Sequence, residues 1–331
     1  MNSYRIFGSE LSPYSVKVRS YFRYKGLPHE WIPRSPAVQA EFQKYAKLPL
    51  VPLVVTPEGE GIQDSTPIVE RFEARQPEPS IVPDDPALAF LSALIEEYGD
   101  EWCNKWMFHY RWHYQPDVWS TAERIAQQMM GAQGTLAVAQ ARAAVAERMT
   151  GRLGFVGSSD QTQPTIEASF KRALGLVETH LQARPYLLGG RPAMADFGLW
   201  AQFYEAATDP TPGAIMRASA PKVMAWVARM SSPKAEGSFE SWAALAPTLR
   251  PLLEEEVGGL FLPWSTANAD AIARGDRSFE TTLAGAAWSQ EPQKYHARSL
   301  AEIRRKYTAA RSAPGLEAIL REAGCLPYLS P

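Results

Sequence analysis

Ser12, Tyr14 and Ser15 lie in the stretch Leu11-Ser12-Pro13-Tyr14-Ser15, and hydroxyls placed there suit one kind of chemistry. A short apolar strand, Tyr4 to Phe7, precedes them and a helical pattern running to Lys25 follows, so Ser12 falls where a strand ends and a helix begins. The first N–H groups of a helix have no intrahelical partner, and its positive dipole end faces the same point, which favours an anion. Pro13 suits the first helical position because it has no N–H to leave unpaired. A hydroxyl held here can donate a hydrogen bond to a thiolate. It is poorly served as a nucleophile, with no His or Asp close by in sequence.

Other chemistries find less support. His109 and His113 stand four apart on an aromatic helical stretch, but there is no His-Glu-x-x-His pattern and no third ligand, so they read as a partly buried aromatic face. Glu96, Glu97, Asp100 and Glu101 lack the Glu-x-x-His partners of a dicarboxylate metal bundle and read as a solvated face or as the acidic wall of a cleft. Glu254-Glu255-Glu256 reads as a surface run, and no metal site is expected. No Gly-x-Gly-x-x-Gly or phosphate-loop motif occurs. Thiol–disulfide exchange needs a nucleophilic thiolate, which Ser12 and Ser15 cannot supply, and Cys103 has no neighbour at redox spacing.

The elements that must position these residues follow from periodicity. Val18, Tyr21, Phe22 and Lys25 share one face of the first helix, which Gly26 ends. Glu30-Trp31-Ile32 predicts a strand and Ala37 to Tyr45 a helix. Leu53-Val54-Val55, the turn Glu58 to Gly61 and a short strand to Asp64 predict a hairpin, after which Ser65 caps a third helix. The prolines from Pro77 to Pro86 make a rigid linker. Helical periodicity then dominates: Ala87 to His113, Val118 to Gly131, Leu136 to Met149, Pro164 to Leu181, Ala195 to Ala206 and Pro221 to Met230. Beyond Leu245 come helical stretches from Pro247 and from Leu260, a hairpin split around Gly285, and closing helices over Tyr295 to Arg311 and Gly315 to Ala323.

Composition narrows the class. With 331 residues, 45% hydrophobic and 21% charged, the chain has material for two full-sized cores. A formal charge of −2 gives no global pull toward nucleic acid or anionic membrane. The longest apolar run, Leu48 to Val55, is too short to span a bilayer, Met1 to Leu11 lacks the apolar core of an export signal, and two cysteines fit a reducing cytoplasm. Charge is uneven: eight Lys or Arg against three Glu in residues 1–50, and two Arg against eleven acids in residues 51–100. That suits a zwitterionic peptide ligand, and equally an ordinary solvated surface.

Ser12-Pro13-Tyr14-Ser15 resembles the Cys-x-x-Cys turn of thioredoxins and glutaredoxins with serine at both cysteine positions. With Val51-Pro52 and Asp64-Ser65 it resembles the amino-terminal domain of the cytosolic glutathione S-transferases, well over roughly residues 1–80 and weakly over 87–245. The resemblance implies a thioredoxin-like βαβαββα domain (1–80), a linker (81–86), an all-helical carboxy-terminal domain (87–245) and a mostly helical extension (246–331) packed on it that lids or narrows the cleft. It implies glutathione as co-substrate, with Ser12, or else Tyr14 or Ser15, donating to its sulfur as in the serine-type classes. Val51 and a cis Pro52 would meet the ligand backbone, Asp64 and Ser65 would hold the γ-glutamyl carboxylate and amine, and Lys47 would stand in for the polar residue that Leu50 replaces. The second substrate would be a hydrophobic electrophile in an aromatic pocket lined from Trp102 to Tyr114, and a homodimer is permitted. Asp196 resembles the buried Asp that caps the family's core helix, although the Ser or Thr expected three residues earlier is Ala193. The alternatives are a non-catalytic binding or interaction protein of the same fold, and a glutathione-dependent isomerase or lyase.

Overall fold

Alternation along the first strand decides how the sheet is covered: Ile6 joins the core on one face and Phe7 the cluster on the other, so helices are needed on both. In the computed structural model, which describes residues 3–330, β1 (Tyr4–Gly8) pairs in parallel with β2 (His29–Pro33) and antiparallel with β3 (Leu53–Val55). β4 (Gly61–Gln63) completes the order β2-β1-β3-β4. Val18 and Phe22 of α1 (Pro13–Tyr24) and Ile68 and Phe72 of α3 (Ser65–Arg75) pack with Ile6 and Val54. Phe42 of α2 (Gln39–Tyr45) packs with Phe7, Leu53 and Val55 on the opposite face. This is the thioredoxin-like arrangement, and the Val51–Pro52 peptide is cis.

One cap differs from expectation. Asp64, not Ser65, occupies the cap position of α3, at a φ of 77° and without a side-chain hydrogen bond to the helix, and Ser65 is its first helical residue. Asp tolerates this left-handed conformation better than most residues, because a short polar side chain can bond locally.

The predicted helix over Ala87 to His113 is one rod with a change of pitch: α4 (Pro86–Tyr98), a π-helical turn over Gly99–Cys103, and α5 (Asn104–His113). α6 (Gln115–Met130) and α7 (Thr135–Thr150) form a hairpin, and α8 (Gln163–His180) follows. α9 (Met194–Thr208) runs through the centre, packed on α4 and α1. It approaches α4 backbone to backbone at Gly198, where an added Cβ would lie 2.7 Å from Glu96 Cγ. Asp196 accepts from the backbone N–H groups of Ala193 and Leu187, each at 2.9 Å, and from Trp226 Nε1 at 3.0 Å. Periodicity missed α10 (Pro210–Ser219), which precedes α11 (Pro221–Met230). Pro210 and Pro212 in its first turn were the available signal.

The last segment is built into the helical core. α12 (Trp242–Leu252) begins earlier than expected and runs through a π-helical stretch, Leu253–Phe261, into α13 (Leu262–Arg274). β5 (Phe279–Leu283) and β6 (Ala286–Gln290) form the expected hairpin, with Ala284 and Gly285 both at positive φ. α14 (Lys294–Ala310), α15 (Leu316–Glu322) and α16 (Leu326–Leu329) close the chain. Trp264 and Trp288 pack on Trp102 at ring-centre distances of 5.8 and 5.5 Å. Glu256 corrects the surface reading of its acidic run: it is fully buried, accepting from Tyr98 at 3.0 Å and pairing with Arg172 at 2.7 Å.

Candidate functional site

The turn before α1 is held from two sides. Ser12 caps the helix through its side chain, Oγ accepting from the Ser15 N–H at 3.3 Å, which leaves the Ser12 O–H free to donate. Arg111 on α5 donates to the Leu11 carbonyl at 3.0 Å and is itself fixed by Asp209 at 2.6 Å and Glu205 at 2.7 Å. Tyr14, the second residue of the helix, donates to the Asp100 carbonyl at 3.0 Å. Burial, then the nearby Glu101 and Asp100, pushes its phenol well above the ordinary range, so Tyr14 stays protonated. Ser15 Oγ is buried and has no hydrogen-bond partner among the described residues.

Beneath this turn lies a buried ion cluster. Lys17 of α1 donates to Asp100 at 2.6 Å and Thr66 at 3.0 Å and also pairs with Glu96. Burial pulls the Lys17 amine down, but Asp100 and then Glu96 outweigh it and keep it charged. Asp100 is raised to about 7, by burial against the pull of Lys17. The carboxylates at 96, 97, 100 and 101 are all buried, so they are not a solvated face. Glu101 also borders a cleft, as the wall reading requires.

That cleft, of about 710 Å³, gathers most of the expected residues. Tyr14, Lys47, Val51, Pro52, Asp64 and Ser65 line it together, whereas Ser12 and Ser15 do not. Ser65 Oγ lies 3.5 Å from Asp100 Oδ2. Burial raises the Asp64 carboxyl, and Lys17 opposes the shift. The apolar side comes from Leu48, Leu50, Phe108, Phe155 and Val156. This corrects the expected lining from Trp102 to Tyr114: Trp102, Trp106, Tyr110 and Trp112 are core residues, and only Asn104 and Phe108 of that stretch reach the cleft.

Sequence reasoning missed two groups. Gln63 organises the loop ahead of Pro52, accepting from the Lys47 and Leu48 N–H groups at 2.7 and 3.0 Å and donating to the Leu48 and Leu50 carbonyls at 2.9 and 2.8 Å. A half-buried strand residue that bonds four backbone groups leaves no periodic signal. The second group is Gln293, Tyr295 and His296 at the start of α14, which form part of the cleft wall. Tyr295 Oη lies 3.5 Å from Asp64 Oδ2, and His296 Nδ1 pairs with Glu101.

His109 and His113 stack at 4.8 Å, with His109 bonded to Ser158 at 2.8 Å and burial lowering its imidazole to about 4. Both belong to an aromatic helix face. Among the described residues, no group of three or more His, Cys, Asp or Glu is placed to hold a metal, and no helix is long and apolar enough to cross a membrane.

Comparison with known proteins supplies the lineage. The family model of the glutathione S-transferase N-terminal domain matches residues 6–80, and that of the glutathione S-transferase C-terminal domain matches residues 135–229. No curated protein matches the sequence. Similar solved structures include a glutathione S-transferase from Methylobacterium radiotolerans in complex with glutathione sulfonate, at 21% identity over 72% of this chain and 99% of that one, with a TM-score of 0.43. Another is a glutathione S-transferase from Methylobacillus flagellatus with glutathione bound, at 17% identity over 70% and 96% of the two chains and a TM-score of 0.43. A third, from Rhodospirillum rubrum, has 17% identity over 89% of this chain and 99% of that one, with a TM-score of 0.46. With both domain models matched in order over just over half of its length, the chain belongs to the glutathione S-transferase superfamily.

Proposed function

We propose that the cleft binds glutathione and that the protein conjugates its sulfur to a hydrophobic electrophile. The observation that carries this reading is the convergence of Val51, Pro52, Asp64, Ser65 and Lys47, three separate parts of the first eighty residues, on one cleft. Asp64 and Ser65 would take the γ-glutamyl end at the start of α3, Val51 the cysteinyl backbone, and Lys47 a carboxylate at the far end. Ser12 would donate its free O–H to the sulfur, with Tyr14 and Ser15 as lesser candidates: Tyr14 is committed to Asp100 and Ser15 is buried. The α1 dipole would add to that hydrogen bond, and lowering a thiol from about 8.5 by two units needs about 2.7 kcal/mol, within reach of the two together. Leu48, Leu50, Phe108 and Phe155 would receive the electrophile, with the segment from Ala246 onward narrowing the entrance through Tyr295 and His296.

The test is calorimetric titration of glutathione, followed by thiolate absorbance against pH in the wild type and Ser12→Ala. Saturable binding, thiolate near neutrality in the wild type, and a rate loss of about tenfold or more in Ser12→Ala are expected. Retention of both thiol pKa and activity in Ser12→Ala would remove Ser12 from the site. A non-catalytic glutathione-binding protein is the second reading, favoured by the absence of Ser12 from the cleft wall. Binding without thiolate formation would establish it.

A further inference from the structure

We infer that His296 accepts the thiol proton of glutathione and that Glu101 is its positioning residue, an inference that rests on the glutathione reading above. A hydroxyl such as that of Ser12 steadies a thiolate but does not take up the proton, which a base lining the cleft can accept in place of water. Tyr14, Glu60 and Asp64, which also line the cleft, already have neighbours that occupy them. Tyr14 donates to the Asp100 carbonyl, Glu60 pairs with Arg71, and Asp64 lies beside Tyr295. His296 is different. Its Nδ1 pairs with Glu101, whose carboxylate is buried, and its ring is held edge-on to Trp264 at 4.8 Å. With Nδ1–H donating to the carboxylate, the ring's lone pair resides on Nε2. That atom has no hydrogen-bond partner among the described residues, is not among the buried unpaired atoms, and belongs to a residue that lines the cleft. Glu101 adjoins Asp100, whose carbonyl takes the Tyr14 hydroxyl, and Tyr14 lines the same cleft as the dyad.

The step balances within these groups. The S–H bond breaks, Nε2 takes the proton, and sulfur keeps the electron pair, giving a thiolate beside an imidazolium that Glu101 stabilises. Sulfur then forms the C–S bond. In a substitution the leaving group departs with its bonding pair and the imidazolium returns its proton to solvent; in an addition the proton passes to the atom next to the new bond.

The experiment uses the full chain, 1-chloro-2,4-dinitrobenzene as the electrophile, and calorimetry with both glutathione and S-methylglutathione, which has no thiol proton. His296→Gln is expected to lower kcat about 100-fold or more while both dissociation constants stay within about threefold. In His296→Ala, added imidazole is expected to restore part of kcat, a rescue that a packing role would not show. Glu101→Gln is expected to lower kcat about tenfold with KM for glutathione kept, because the tautomer and ring orientation are loosened and not lost. A His296→Gln enzyme that binds glutathione normally and keeps kcat within about threefold overturns the proton-acceptor role and leaves the glutathione reading standing. A wild-type protein that shows no glutathione binding overturns that reading and this role with it.

Discussion

Lys17→Met tests whether the base of the cleft is held by charge. The side chain is fully buried, and among the described residues it is the one cation paired with Glu96 and Asp100. Met keeps most of the volume, so the loss is electrostatic: two carboxylates remain out of water with Glu96 Oε2 and Asp100 Oδ1 already lacking partners. Removing one partner of a buried ion pair costs about 3–5 kcal/mol, a large part of the ~5–15 kcal/mol that holds a typical protein folded. The sign with pH follows from Asp100, raised to about 7 from an ordinary 3.8, by burial first and against the pull of Lys17. Between those values the folded carboxyl holds a proton that the unfolded chain has released, so stability is fully present below 3.8 and is lost as pH rises through about 7. Without Lys17 the carboxyl climbs further. The deficit of Lys17→Met against the wild type is then largest at about pH 8 and shrinks toward about pH 5.5. Urea unfolding followed by tryptophan fluorescence at both pH values measures it. A deficit below about 1 kcal/mol at the higher pH, or one equal at both, would refute the argument.

Two further substitutions probe the frame behind the site. Gly198→Ala places a Cβ 2.7 Å from Glu96 Cγ and 2.9 Å from its Cα, which forces α9 from α4 and costs about 1–3 kcal/mol; an unchanged thermal midpoint would show that the helices have slack. Asp196→Ala strands three buried donors, the N–H groups of Ala193 and Leu187 and the Trp226 indole, and is expected to cost more than about 3 kcal/mol in urea unfolding. Asn at the same position should recover part of this, since its oxygen can keep the Leu187 and Trp226 bonds while its NH2 faces the Ala193 N–H, a donor that needs an acceptor.

What the sequence revealed was local. The turn at Ser12 is written in the order strand, Pro13 and apolar helix, and the hairpin around Gly285 in a two-residue turn between alternating strands, so both were legible. α10 was hidden because Pro210, Pro212 and Gly213 in one turn read as a loop unless its prolines are recognised as first-turn residues. The far wall of the cleft was not legible at all: Tyr295 meets Asp64 across 231 residues, and no local pattern encodes that contact. The carboxylates of α4 failed for the same reason. Whether Glu96 is solvated or buried depends on Lys17, 79 residues away, and an acidic run carries no mark of a distant cation. Glu256 repeats the lesson, since Tyr98, Ser169 and Arg172 that satisfy it come from two other helices.

The order Glu96-Glu97-x-x-Asp100-Glu101 makes physical sense as two neighbouring i, i+4 stripes on one helix. Glu96 and Asp100 face Lys17 on α1, whereas Glu97 and Glu101 face Ser299 and His296 on α14. One helix therefore ties the thioredoxin-like sheet layer to the last helical segment, and the two stripes differ in their partners, a lysine for the first and a hydroxyl and an imidazole for the second. Glu97 has a hydroxyl as its nearest partner, and burial, followed by the repulsion of Glu101, raises its carboxyl well above the ordinary 4.5. A protonated acid is nearly isosteric with an amide, so Glu97→Gln should leave stability within about 1 kcal/mol of the wild type below about pH 4.5, where both states of the wild type carry the proton. A raised folded value means stability present below about 4.5 and lost as pH rises, so the variant should match the wild type in acid and exceed it in mild alkali. A loss above about 2 kcal/mol at neutral pH would mean that Glu97 is ionised and held by Lys306, and that the second stripe is an ion pair like the first.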